Sequence, residues 1–309
     1  MKRIAVFLAT LMVIALSIGI YLYENKNPIS FPKLPEPTET VDPADQEPET
    51  FDPVTDDAIS YTLQKDELNI TYNGGADWIN VPIDKESLFH GEYHGNGTEL
   101  IEDSYVLTEN LAAFIYGEET NEEYVDKVLL KYSHDQGETW QDGVITEDFL
   151  AVRFRKVDFL HESFGYVVLS GGRTMSQEFS IVYLTHDGGA TWEATAEPPT
   201  TRLIAFGSFI DEQTGFLSYG TINPEEPDVY VTQDGGKSWE QAQFNMPPQY
   251  ERVFVQAEDP EKHEDHLTVH VNQGSSGDYE GGKVKGEFIS EDNGLTWEFS
   301  REVGPDEQE

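Results

Sequence analysis

The chain has no cysteine among its 309 residues, which excludes disulfide staples, thiolate metal sites and a thiol nucleophile. Positive charge is nearly as scarce: 19 Lys and Arg stand against 59 Asp and Glu, a formal net charge of −40. A chain this acidic repels nucleic-acid phosphates and anionic membrane surfaces, so neither is expected as a direct ligand. Long apolar runs are absent after the amino terminus, where a charge-free stretch extends from Ile4 to Tyr23 behind Lys2 and Arg3. As a helix this stretch reaches about 30 Å, enough to cross a bilayer. Residues 1–23 therefore read as a membrane anchor that leaves the rest outside the cytoplasm, with a cleaved signal peptide and secretion as the alternative.

The segment after the anchor is proline-rich and acidic. Pro28, Pro32, Pro35, Pro37, Pro43, Pro48 and Pro53 are interleaved with Glu, Asp and Thr. Missing backbone donors and mutual repulsion predict a disordered stalk over residues 24–56. A folded domain is expected over 57–304, and 305–309 form an acidic tail.

The five tryptophans each close the same eight-residue pattern. Four copies are near perfect: Ser133, Asp135, Gly137, Thr139 and Trp140; Thr185, Asp187, Gly189, Thr191 and Trp192; Thr232, Asp234, Gly236, Ser238 and Trp239; Ser290, Asp292, Gly294, Thr296 and Trp297. A fifth, Thr71, Asn73, Gly75, Asp77 and Trp78, has Asn for Asp and Asp for Ser/Thr. The spacings Trp78 to Trp140, Trp192, Trp239 and Trp297 fall in the range of propeller or solenoid repeats. Each pattern follows a short apolar strand, as in residues 128–132, 179–184, 228–231 and 286–289. Upstream, residues 159–168 and 209–218 share a strand, an acidic turn, a glycine and an aromatic-led strand. The expected fold is all-β, a propeller of about five four-stranded blades. In each turn an Asp can accept backbone amides, Gly supplies a conformation that side chains strain, and Trp covers a neighbouring sheet.

The pattern Ser/Thr-x-Asp-x-Gly-x-Thr/Ser-Trp resembles the Asp-box of BNR-repeat proteins, shared by sialidases, the sortilin ectodomain, some glucan hydrolases and the photosystem II assembly factor group. The resemblance covers roughly residues 58–303 and implies structural, peripheral roles for Asn73, Trp78, Asp135, Trp140, Asp187, Trp192, Asp234, Trp239, Asp292 and Trp297. A sialidase needs three arginines on a substrate carboxylate and an Arg-Ile/Leu-Pro motif. Arg153-Phe154-Arg155-Lys156 lacks the proline, and the chain has seven arginines in all. The resemblance to assembly factors points to a non-catalytic protein-binding or assembly module, not an enzyme. An extracellular glycoside hydrolase, sialidase-like or glucan-active, or a glycan-binding protein is the alternative.

Recognition is expected on the irregular loops away from the boxes, at 117–127, 170–178, 220–227 and 272–285. Arg173 and Tyr279 lie in two of them, and Arg153, Arg155, Arg202 and Arg252 form a sparse basic set near strand starts. Such a face suits a protein partner or a cell-surface glycan. His263, His266 and His270, and His90 with His94, have the residue types of metal ligands but sit in polar surface contexts, so no metal is assigned and no cofactor is implied.

Overall fold

A computed structural model describes residues 51–119 and 125–305. The anchor at 1–23, the stalk as far as residue 50, the tip of the 117–127 loop and the tail beyond 305 lie outside the described residues. Among the described residues no helix is long and apolar enough to cross a membrane.

The fold is all-β, in five sheets taken in chain order. The first holds β1 (Ser60–Thr62), β2 (Glu67–Thr71) and β3 (Ile79–Asp84), and is followed by a one-turn helix, α1 (Lys85–Leu88). The second runs β4 (Tyr105–Leu107), β5 (Ala112–Glu119), β6 (Val125–Ser133) and β7 (Gln141–Leu150). The third is β8 (Val152–Phe159), β9 (Gly165–Thr174), β10 (Gln177–Thr185) and β11 (Glu193–Ala194). The fourth is β12 (Ile204–Phe209), β13 (Gly215–Tyr219), β14 (Asp228–Thr232) and β15 (Glu240–Gln241).

The fifth sheet departs from this pattern. Its strands are β16 (Gln243–Asn245), β17 (Gln256–Ala257), β18 (Glu261–Lys262), β19 (Leu267–Asn272), β20 (Lys285–Ser290) and β21 (Thr296–Val303), in the order β16-β21-β20-β19-β17 with β18 also on β19. β16 leaves the fourth sheet and pairs parallel with β21, where Phe244 stacks on Trp297 at 5.7 Å. Among the described residues all other strand pairs are antiparallel, and all but β17 with β19 join consecutive strands, as hairpin connections allow.

Four apolar clusters fill the spaces between consecutive sheets. Ile70 and Phe114 belong to one, Leu130 and Val167 to a second, Val168 and Leu217 to a third, and Phe216 and Val269 to the fourth. Among the described residues no such cluster joins the fifth sheet to the first.

The boxes act as joints between these sheets. Ser133 Oγ donates to Asp135 Oδ1 and accepts Gly137 N, while Asp135 accepts Thr139 N at 2.9 Å and Thr139 Oγ1 at 2.6 Å. The same bonds recur around Asp187, Asp234 and Asp292. In the first copy Asn73 Oδ1 accepts Asp77 N and Asn73 Nδ2 donates to Asp77 Oδ2, so amide and carboxylate have exchanged places without loss of the turn. The later box glycines, Gly137, Gly189, Gly236 and Gly294, have φ of 77–100° and press on the preceding sheet. A methyl group there would fall 2.9 Å from Ile79, 3.1 Å from Leu130, 2.2 Å from Thr195 and 2.2 Å from Phe216.

Two segments are more ordered than their composition predicts. Phe51 lies edge-on to Trp78, and Val54 N bonds Tyr61 O, so packing already begins within the segment expected to be stalk. The 170–178 segment is no irregular loop, because β9 continues to Thr174 and β10 starts at Gln177.

Candidate active site

β8 carries four charges in six residues, Arg153, Arg155, Lys156 and Asp158, on the edge strand of the third sheet. Extended geometry sends Lys156 and Asp158 to the same side. Edges of three sheets converge there. Val157 N donates to Asp103 O at 2.8 Å, bringing the chain two residues before β4 onto β8. Lys156 Nζ reaches across to Asp259, just after β17, in a short ion pair. Tyr166, paired with Asp158 in register, places its hydroxyl 3.5 Å from Asp158 Oδ2.

The electrostatics of this cluster are uneven. Burial raises the Asp103 carboxyl above the ordinary Asp value; Lys156 opposes this, while Asp259, Glu102 and Asp158 push it further up. As a residue Asp103 is exposed, its carboxyl only partly desolvated by the neighbouring sheets, so water and ligand can reach it. Its φ of 61° is unusual for a residue with a side chain and is held by the β8 tether. Burial also raises Tyr166, helped by the charges of Asp158, Asp259 and Asp103, so its hydroxyl stays protonated. A carboxyl raised by its surroundings, close to other carboxylates and a lysine, is an arrangement found at sites that give and take protons.

None of Asp103, Lys156, Asp158, Tyr166 or Asp259 was legible as a site residue in the sequence. The usable signal was β8 itself, a strand charged on residues that a sheet edge buries: Lys156 and Arg155 are both buried. Asp103 and Asp259 have no local motif, and only tertiary contact connects them to Lys156.

The arginines do not gather into a basic patch. Arg153 makes a bidentate pair with fully buried Glu178 and also reaches Ile204 O. Arg155 is buried, bonds the carbonyls of Leu88, His90 and Tyr93, and is depressed to about 10 by burial, against the pull of Asp126. Arg202 pairs with Asp228 at 2.7 Å, and Arg173 approaches Glu92 at 3.5 Å. Arg252 and Tyr279, by contrast, are brought together in one cleft of about 320 Å³ between the 220–227 and 272–285 loops. Tyr279 donates its hydroxyl to Glu302 at 2.7 Å, which with burial raises it to about 12.

The histidines are engaged singly. His90 Nε2 lies 2.7 Å from Asp126, His94 bonds Phe89 O, and His263 and His266 stack on each other while bonding Thr268 and Asp265. Among the described residues no group of three His, Asp or Glu side chains is arranged to hold a metal ion.

The chain carries a BNR/Asp-box repeat, matched at residues 131–142 by the family of that description. No curated protein matches it. Among solved structures it is similar to a GH74 enzyme of Niastella koreensis, at 14% identity and TM-score 0.42, over 81% of this chain and 37% of that one. It is also similar to a protein of unknown function from Dyadobacter fermentans, at 13% identity and TM-score 0.41, over 65% and 66% of the two chains. A GH43_1 enzyme of Xanthomonas citri follows at 10% identity and TM-score 0.36, over 65% and 72%. This chain thus spans little more than a third of the Niastella koreensis enzyme. At these levels the likeness concerns the fold alone. The expectation of a non-catalytic assembly module, and of a chain that is not an enzyme, is nonetheless corrected: the relatives in fold with a stated activity are glycoside hydrolases.

Proposed function

We propose that this chain is an extracytoplasmic glycoside hydrolase, built as a five-bladed propeller and tethered through residues 1–23, that acts on neutral glycans. The observation that carries the reading is the gathering of Asp103, Asp158 and Asp259 at β8, where Val157 N holds the Asp103 carbonyl, Lys156 holds Asp259, and the Asp103 carboxyl is raised above the ordinary Asp value. Glycoside hydrolysis needs one carboxyl that is protonated near working pH and a second that is ionised. In this reading Asp103 donates a proton to the leaving glycosidic oxygen. Asp259 or Asp158 is the second carboxylate, and Lys156 fixes the position of Asp259. The sialidase-like variant is set aside on physical grounds, because Arg153, Arg155 and Arg202 are already spent on Glu178, backbone carbonyls and Asp228. A substrate without a carboxylate requires none of them.

The test is hydrolysis of chromogenic aryl β-xylosides, β-glucosides and α-arabinofuranosides by the purified full chain. Turnover of at least one is expected, and Asp103→Asn should lower kcat by about 10²–10⁴-fold, the usual contribution of a general acid. Inactivity of the wild type on every glycan offered, or full activity of Asp103→Asn, would sink the proposal.

A further inference from the structure

The turn between the first two strands of a sheet is held by different side chains in the third and fourth sheets. In the fourth, Asp211 Oδ1 accepts Gln213 N at 3.0 Å and Thr214 N at 2.8 Å, so one carboxylate satisfies both backbone donors. His161 stands at the matching position of the third sheet, as far ahead of Gly165 as Asp211 is of Gly215. Its Nδ1 accepts Phe164 N at 3.3 Å and lies 3.2 Å from Ser163 Oγ. Its Nε2 lies 3.2 Å from Glu212 Oε1, on the turn of the next sheet. An aspartate is enough to hold such a turn. The imidazole adds a second nitrogen, and that nitrogen is aimed at a carboxylate.

These bonds fix where the imidazole proton sits. A backbone N–H can only donate, so Nδ1 presents its lone pair, and the neutral ring carries its proton on Nε2, toward Glu212. The Ser163 hydroxyl is then the donor to Nδ1. A hydroxyl on the bare nitrogen of a histidine, with the other nitrogen oriented by a carboxylate, is the arrangement that activates a serine nucleophile. His161, Ser163 and Glu212 are all exposed, so a dissolved substrate reaches them. His161 takes the Ser163 hydroxyl where Asp211 takes the Gln213 amide, and among the described residues Ser163 N is left without an acceptor. That N–H stands beside Oγ and can donate to an oxyanion formed there. Leu160, 38% exposed on the same turn, supplies an apolar contact. An exposed turn holds little of a substrate, which suits a small acyl group such as acetyl.

We infer that Ser163, His161 and Glu212 form an acyl-transfer site for small carboxylic esters, separate from the carboxylates gathered at β8. Ser163 Oγ attacks the ester carbonyl carbon while its proton passes to His161 Nδ1. The carbon–oxygen bond to the alcohol breaks, the leaving oxygen takes that proton, and Ser163 is left acylated. Water, losing a proton to the same Nδ1, then attacks the acyl carbon, which releases the carboxylic acid and returns the proton to Ser163 Oγ. Glu212 acts through His161 as a positioning residue.

The experiment is treatment of the full chain with a fluorophosphonate, the modified residue located by mass spectrometry, beside hydrolysis of p-nitrophenyl acetate. Ser163 is expected to carry the label. Ser163→Ala and His161→Asp should each lower ester turnover at least about 100-fold, the lower end of what a positioned general base contributes. His161→Asp is the informative change, because Asp211 shows that an aspartate holds this turn while the base is lost. Glu212→Ala should slow labelling of Ser163 at an unchanged melting temperature, and Glu212→Asp should restore part of the rate. Labelling at another residue or at none, or full labelling in His161→Asp, overturns the inference. Ester turnover that survives in Ser163→Ala also overturns it, since a histidine would then be attacking the ester directly. Glycan hydrolysis should be the same in Ser163→Ala as in the wild type, so the failure of either reading leaves the other standing.

Discussion

Aspartate is used in two opposite electrostatic settings. The box carboxylate of Asp135 is lowered to about 2, first by the Thr139 hydroxyl and then by the Thr139 amide and Ser133. Asp187 and Asp234 are lowered by the matching bonds, and Asp292 is lowered by its Thr296 bonds although burial works against it. Asp103 is raised instead. The consequences for stability have opposite sign. A lowered box carboxyl stabilises the fold above the unfolded value near 3.8, and this is lost as pH falls toward about 2. A raised carboxyl is favourable in its protonated form below 3.8 and loses that advantage as pH rises through its folded value. Asp103→Asn should therefore melt above the wild type at pH 7, with the gap closing below pH 3.8, whereas Asp135→Asn should melt below it at pH 7 with the gap narrowing in acid. Melting curves of the three proteins between pH 2.5 and 8 decide the matter, and a constant offset for Asp103→Asn would refute the assigned burial. The boxes were legible because their bonds are local, each closing within four residues. The carboxylates of the candidate site were not, since Asp103, Asp158 and Asp259 look like any others among 59 acidic residues until tertiary contact selects them.

At the scale of the element, period-two apolar runs were enough to find the strands before each box. Residues 128–132, 179–184, 228–231 and 286–289 all fall inside β6, β10, β14 and β20. β16 gave no such signal. It is three residues long, and its parallel register on β21 is set by the Phe244–Trp297 stack, which only the folded state supplies. The 272–285 loop departs from its composition for a related reason. Its glycines and serines suggest an adaptable insertion, yet the buried Gln273 amide and the Tyr279 ring tie it to the fifth sheet. The box tryptophans also differ from one another despite identical motifs. Trp297 is fully buried, between Phe216 and Phe244, whereas Trp192 remains partly exposed. Trp297→Ala should cost about 3–5 kcal/mol, the range for emptying a large aromatic site, and Trp192→Ala clearly less. Chemical denaturation of both variants tests this, and equal losses would show that the motif, not its neighbours, sets the energy.

For the whole molecule, the net charge of −40 is the dominant long-range force. The sheets meet through apolar clusters and a few linking ion pairs, such as Lys156 with Asp259 and Lys262 with Asp211. Neither kind of contact offsets the repulsion among so many uncompensated carboxylates. Self-repulsion of this kind destabilises the compact state, and salt relieves it by shortening the screening length from about 10 Å at 0.1 M to about 3 Å at 1 M. Surface ion pairs weaken over the same range, but exposed pairs contribute little to begin with. Half-buried Arg153, paired with fully buried Glu178, is largely shielded from bulk ions and should hardly respond. Repulsion therefore dominates the balance, and the melting temperature should rise between 20 mM and 1 M NaCl by at least about 3 °C, which is what roughly 1 kcal/mol produces in a domain of this size. Magnesium chloride at matched ionic strength separates screening from ion binding. Equal shifts with both salts support screening, a much larger shift with magnesium would point to a bound cation, and a melting temperature that stays flat or falls in NaCl would show that attractive pairs outweigh the excess of carboxylates.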